Sequence, residues 1–157
     1  MTSFEELWRG LLPIGRVTDT GGYRRFSWTP DDVSCREWFA STAASLGLSV
    51  EVDRNGNQWA WWGAPGPDAV VTGSHLDSVP DGGAFDGPLG VVSSLAAVGL
   101  LKARGVTLSR PLATTSPVPN RLWPTCTAVP GFNRFGSFAS SCGRWVETNS
   151  SGQDSIV

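Results

Sequence analysis

The segment from Gly73 to Gly90, GSHLDSVPDGGAFDGPLG, gathers the chain's single histidine and three aspartates among glycines. His75 and Asp77 are two residues apart, and in extended chain such residues point to the same side. A carboxylate there accepts one ring N–H of the imidazole and fixes its tautomer, as the usual partner of a metal-binding histidine does. Asp86 follows nine residues after Asp77, before Gly87-Pro88-Leu89-Gly90. At a loop–helix junction its two oxygens can bridge two cations about 3.5–4 Å apart, the spacing of co-catalytic pairs. A histidine with one nearby aspartate is, taken alone, more often a satisfied structural pair. Nucleophilic catalysis by Ser74 is disfavoured, because adjacent strand residues face opposite ways and no G-x-S-x-G turn is present. Asp81 reads as a solvated turn residue, and Arg24 and Arg25 as surface charges.

The elements that must position these residues follow from periodicity. Residues 4–12 form a short amphipathic helix with Phe4, Leu7 and Leu11 on one face. A second helix starts at Thr29-Pro30-Asp31-Asp32. Thr29 serves as N-cap, Pro30 occupies the first helical position, and Asp32 completes a capping box. It runs to about Leu46 on the stripe Cys35, Phe39, Ala43, Leu46 and stops at Gly47. Leu48–Val52 and Gln58–Trp62 are strands joined through Asn55-Gly56, a hairpin signal. Trp59, Trp61 and Trp62 then read as hairpin packing with a cross-strand aromatic role. Ala69–Ser74 is a short apolar strand of the kind found inside a sheet covered on both faces. Val91–Arg104 is a helix apolar nearly all round, hence deeply packed. His75 lies one residue past the Ala69–Ser74 strand, at the end of an open α/β sheet where ligands bind.

The chain of 157 residues has 40% hydrophobic and 17% charged residues, enough for a core. A net charge of -2 without basic blocks argues against nucleic-acid or anionic-membrane surfaces as partners. The acidic start lacks the basic region of a signal peptide, and no apolar run approaches the roughly 20 residues of a membrane span. Cys35, Cys126 and Cys142 are odd in number and widely spaced, and read as reduced thiols of a cytoplasmic protein. After Pro111 the composition shifts to Pro, Ser, Thr, Asn and Gly, with no clear strand or helix. Two regions are expected: residues 1–111, which hold these helices and strands, and residues 112–157, a divergent and poorly ordered tail.

The G-S-H-L-D-S-V-P-x-G-G-x-F-D-G-P-L-G segment resembles the metal-binding signature of the N-carbamoyl-L-amino-acid hydrolase and allantoate amidohydrolase family, within the di-metal aminopeptidase, aminoacylase and carboxypeptidase superfamily. Gly22-Tyr23-Arg24-Arg25, Trp28-Thr29-Pro30, Trp38-Phe39 and Gly56-Asn57 resemble that family's N-terminal blocks in the same order, over residues 7 to about 111. The resemblance implies the N-terminal part of a three-layer α/β/α sandwich, incomplete here. It implies a site for two divalent cations (zinc, manganese, cobalt or nickel), with His75 and Asp86 as metal ligands and Asp77 as the catalytic-site aspartate that orients His75. The implied activity is hydrolysis of a linear amide or ureido C–N bond in a small-molecule substrate; the substrate-binding residues are unknown. The implied assembly is a homodimer built through a further domain that this sequence lacks.

The pattern also departs from the family. A Glu-Glu-Gly-x-Arg-Phe-Gly segment, carrying the general base and a metal ligand, is echoed only as Asn133-Arg134-Phe135-Gly136, with Pro130-Gly131-Phe132 where the acids belong. Two further histidine ligands have no counterpart. The expectation is therefore a truncated or frameshifted gene product, inactive alone. The alternatives are a non-catalytic remnant, a weak metal- or partner-binding fragment, and an aminoacylase or metallopeptidase of the same superfamily.

Overall fold

A computed structural model describes residues 3–118 and the backbone of residues 146–148 and 154–156. The chain divides into two units, residues 1–125 and residues 126–157. In the first, helices α1 (Phe4–Leu11), α2 (Pro30–Ser45) and α3 (Pro88–Ala103) accompany strands β1 (Ser49–Val52), β2 (Gln58–Trp62), β3 (Val70–Gly73) and β4 (Leu112–Ser116). The second contains an antiparallel pair, β5 (Val146–Thr148) with β6 (Asp154–Ile156). The rest of the expected poorly ordered tail beyond Val118 lies outside the described residues.

The sheet of the first unit has the order β1-β2-β4-β3. β1, β2 and β4 pair antiparallel, whereas β3 pairs parallel to β4. A parallel neighbour needs a crossover, and α3 supplies it, so residues 70–116 form one β–α–β unit. Alternation puts Val50, Ala60, Trp62 and Leu112 on one sheet face. They share a core with Leu7 and Leu11 of α1, Cys35 and Phe39 of α2, and the buried valines and Leu95 of α3. Among the described residues, all three helices contribute to that face. The mixed α/β class is as expected, with one open sheet in the first unit. No described helix is long and apolar enough to cross a membrane.

Four local readings change. Leu112–Ser116, in the stretch that showed no strand pattern, is an inner strand between β2 and β3. Its Ala113, Thr114 and Ser116 are all buried, so burial on both faces erased the expected alternation. β3, expected inside the sheet, has a strand on one side only among the described residues, and Val70 is exposed. The α2 cap is wired differently. Thr29 Oγ1 donates to the Phe26 carbonyl at 2.6 Å instead of capping, and the Asp32 carboxylate accepts from the Trp28 amide at 2.9 Å. Finally, Trp59 and Trp61 stack on each other along one strand, with centroids 5.9 Å apart, rather than across the hairpin.

Candidate functional site

β3 ends at Gly73 and α3 begins at Pro88, so both ends of the intervening loop are anchored on one β–α–β unit. The loop's two flanks carry the chemistry. His75 Nδ1 stands 3.0 Å from the Asp77 carboxylate and 3.1 Å from the Asp77 carbonyl. Both are acceptors, so Nδ1 carries a proton, and in the neutral imidazole Nε2 then presents its lone pair. Nε2 faces Asp86 Oδ1 at 3.8 Å. The Asp77 hydrogen bond raises the imidazole above its ordinary pKa, and partial burial pulls the other way. Asp77 is the most shielded of the three side chains (20% exposed), His75 is at 39%, and Asp86 is at 60%.

Gly87 allows this approach. It has φ 84° and ψ -63°, and a Cβ there would lie 2.5–2.6 Å from the His75 carbonyl oxygen and imidazole ring. Only a residue without Cβ fits between the imidazole and the start of α3.

The donor set suits a divalent cation. Two ligand atoms each about 2.0–2.2 Å from one ion, at near-tetrahedral angles, lie roughly 3.4 Å apart. The observed 3.8 Å between Nε2 and Oδ1 needs only a wider angle. Among the described residues, no cluster of three or more His, Cys, Asp or Glu side chains could hold an ion. His75 Nε2 and Asp86 Oδ1 are the two donor atoms that face one another here, with Asp77 holding the imidazole. The surface groove of about 460 Å³ lined by Trp62, Arg110 and Pro111 shares none of these residues.

The residues that hold the loop went unrecognised in the sequence. Arg25, read as a surface charge, is 2% exposed, with its guanidinium on the carbonyls of Leu11 and Ile14. Arg24 is exposed and pairs with Asp81 at 3.1 Å. Asp81 is an exposed turn residue, as expected, and it also accepts from Thr20 at 2.8 Å and has φ 55°. Ser78, unremarked among neighbours of more obvious chemistry, is buried and bonded to Tyr23 and Arg25.

An open α/β sheet with a histidine–carboxylate pair past a strand's carboxyl end has polar side chains where such sheets bind ligands. No family model matches the chain. It is 38% identical over 116 residues to the N-carbamoyl-L-amino acid amidohydrolase of Geobacillus stearothermophilus, covering 71% of this chain and 28% of that protein. It is 36% identical over 107 residues to the ureidoglycolate hydrolase of Arabidopsis thaliana, covering 65% of this chain and 22% of that one. The crystal structure of a hydantoinase/carbamoylase family amidase from Burkholderia ambifaria superposes with a TM-score of 0.65 at 38% identity, over 73% of this chain and 29% of that one. Over roughly 70% of its length the chain is thus similar to part of the N-carbamoyl-L-amino-acid amidohydrolases, ureidoglycolate hydrolase and hydantoinase/carbamoylase family amidases. It spans less than a third of the length of the relatives it matches.

Proposed function

We propose that this chain carries one wall of a metal-dependent amidohydrolase site acting on linear amide or ureido C–N bonds, of the kind found in N-carbamoyl amino acids or allantoate. The observation that carries the reading is the geometry at His75: Asp77 occupies Nδ1 at 3.0 Å, and Nε2 faces Asp86 at 3.8 Å. His75 and Asp86 would hold the cation, zinc, manganese, cobalt and nickel all suiting such donors. When bound, the ion would polarise the scissile carbonyl and make a water nucleophilic near neutral pH. Asp77 keeps the Nε2 lone pair aimed outward, and the Gly87 backbone keeps imidazole and carboxylate within reach of one another.

The same geometry supports weak binding and no turnover by this chain alone. Catalytic zinc commonly has three protein ligands, and two stand together here. No described residue beside them is placed as a general base, a role worth typically 10²–10⁴-fold in rate. The test is calorimetric titration with zinc, with hydrolysis assays on N-carbamoyl-L-amino acids and allantoate in each of the four metals. Zinc binding in the micromolar range or weaker, abolished by His75→Ala and without turnover, is expected. Binding unchanged in His75→Ala removes the metal reading. Turnover that disappears in His75→Ala would mean that further ligands and a base assemble on this chain.

A further inference from the structure

The segment Gly22–Arg25 lies antiparallel along the site loop. Tyr23 and Gly82 exchange backbone hydrogen bonds of 3.0 and 3.2 Å. Ser78 N–H donates to the Arg25 carbonyl at 3.0 Å, the Arg25 amide donates to Ser78 Oγ at 2.9 Å, and Ser78 Oγ donates to the Tyr23 carbonyl at 3.0 Å. The approach is close: a Cβ on Gly22 would lie 2.7–2.8 Å from the Asp81 backbone. The clamp is itself moored. Arg25 Nε and Nη2 donate to the carbonyls of Ile14 and Leu11 at 2.8 and 3.1 Å, at the C-terminal end of α1, where a cation is favoured. The guanidinium also lies 4.3 Å from the Tyr23 ring centroid, and Tyr23 Oη donates to the Leu12 carbonyl at 2.8 Å.

These bonds converge on one peptide plane. The N–H of Ser78 and the C=O of Asp77 belong to the same trans peptide and point in opposite directions. The N–H is held by Arg25, and the carbonyl faces His75 Nδ1 at 3.1 Å. We propose that Arg25 and Ser78 are positioning residues for His75. By fixing the Asp77–Ser78 peptide they hold both Asp77 acceptors on Nδ1 and keep the imidazole in the tautomer whose Nε2 faces Asp86. The bearing on cation affinity rests on the metal reading proposed above; the bearing on the tautomer does not. The mooring also explains why a cation is buried next to α1 at all: it connects the first helix to the site loop across more than fifty residues of sequence.

The chain's single histidine makes the tautomer directly readable. Long-range ¹H–¹⁵N correlation on the full labelled chain, in buffer alkaline enough to keep the imidazole neutral, should show His75 almost wholly in the Nδ1–H form. Ser78→Ala should move it toward the Nε2–H form preferred by free imidazole, and Ser78→Thr, which keeps the hydroxyl, should restore it. Zinc affinity should fall roughly 10-fold in Ser78→Ala, the lower end of the range for residues that orient metal ligands. If Ser78→Ala loses its cooperative melt, Arg25→Lys, which cannot span both carbonyls with one fork, is read in the same way. A variant that melts cooperatively and keeps the wild-type tautomer overturns the proposal. Absence of zinc binding by the wild-type chain would sink the metal reading and leave this one to be decided by the tautomer.

Discussion

Replacing Gly87 by alanine should be among the most damaging single-methyl changes in the site loop, and the cost can be built from geometry. With φ 84° and ψ -63°, Gly87 lies in a region that residues with a Cβ rarely enter, worth about 1–3 kcal/mol of strain. The added carbon would also stand 2.5–2.6 Å from the His75 carbonyl and ring. Relief requires moving the backbone or rotating the imidazole off Asp77, an overpacking cost of about 1–3 kcal/mol. The sum, roughly 2–6 kcal/mol, is a large share of the 5–15 kcal/mol that typically holds a domain folded. Gly83 is the control in the same loop: its φ is not positive, and nothing lies within 4 Å of a Cβ built on it. There alanine should be neutral or stabilise by about 0.4–1 kcal/mol, by restricting the unfolded chain. Urea unfolding followed by tryptophan fluorescence separates the two. With a slope near 2 kcal/mol/M, Gly87→Ala should lower the midpoint by at least about 1 M, and Gly83→Ala should leave it in place or raise it. Equal midpoints for the two variants would refute the crowding argument.

Cys35 sits at 0% exposure, and burial pushes its thiol pKa up to about 11, so it should be inert. In a chain with Cys126 and Cys142 replaced by serine, a disulfide-exchange reagent should find no thiol in native buffer and one in denaturant; rapid native labelling would contradict the packing of α2. Asp53 has its carboxylate disfavoured by burial, but hydrogen bonds from Asn57, the Trp59 indole and the Asn55 amide outweigh this and hold its pKa below the usual value. A depressed folded-state pKa contributes stability that is present above the ordinary carboxylate value and is lost as pH falls through the folded one. Asp53→Asn should therefore be less stable than wild type near neutrality, with the gap closing in acid below about pH 4. A gap constant down to pH 2 would mean that the charge of Asp53 contributes nothing to the hairpin.

The parts legible in the sequence were those written in local pattern. The stripe of Cys35, Phe39 and Ala43 is the buried face of α2, and all three are at 0% exposure. The i, i+2 spacing of His75 and Asp77 does put a carboxylate on the imidazole, because that relation needs only an extended backbone. Relations set by long-range register were not legible. Arg24 and Arg25 look alike in sequence, yet one is exposed beside Asp81 and the other is buried over Tyr23. What separates them is the strand-like alternation of residues 22–25, and that exists only once the segment lies against the Ser78–Gly82 loop. Ser78 is hidden for the same reason: its role comes from residues 53 and 55 positions away. β4 was missed because threonines and a serine in an inner strand look polar. Thr115 Oγ1 donates to the Gln58 carbonyl, which lets such a residue sit within the sheet.

The inclusion of Leu112–Ser116 in the sheet bears on how the site is held. Without Leu112–Ser116, β3 would have no strand partner among the described residues, and the loop carrying His75 would hang from an unpaired segment. With β4 in place, Val70, Val71, Thr72 and Gly73 pair with Leu112 through Thr115, closing the β–α–β unit just before His75. Thr72 Oγ1 also lies 3.0 Å from Ser94 Oγ, which donates to the Gly90 carbonyl, so the strand end is bonded to the first turns of α3. Asp86 precedes that helix and His75 follows that strand, so their separation is fixed by strand–helix packing rather than by the loop between them. The loop's own conformation is fixed separately by the Gly22–Arg25 clamp. The 3.8 Å from Nε2 to Oδ1 thus rests on two independent supports: the β3–α3 junction, which sets where each residue stands, and the clamp, which sets the direction in which the imidazole points.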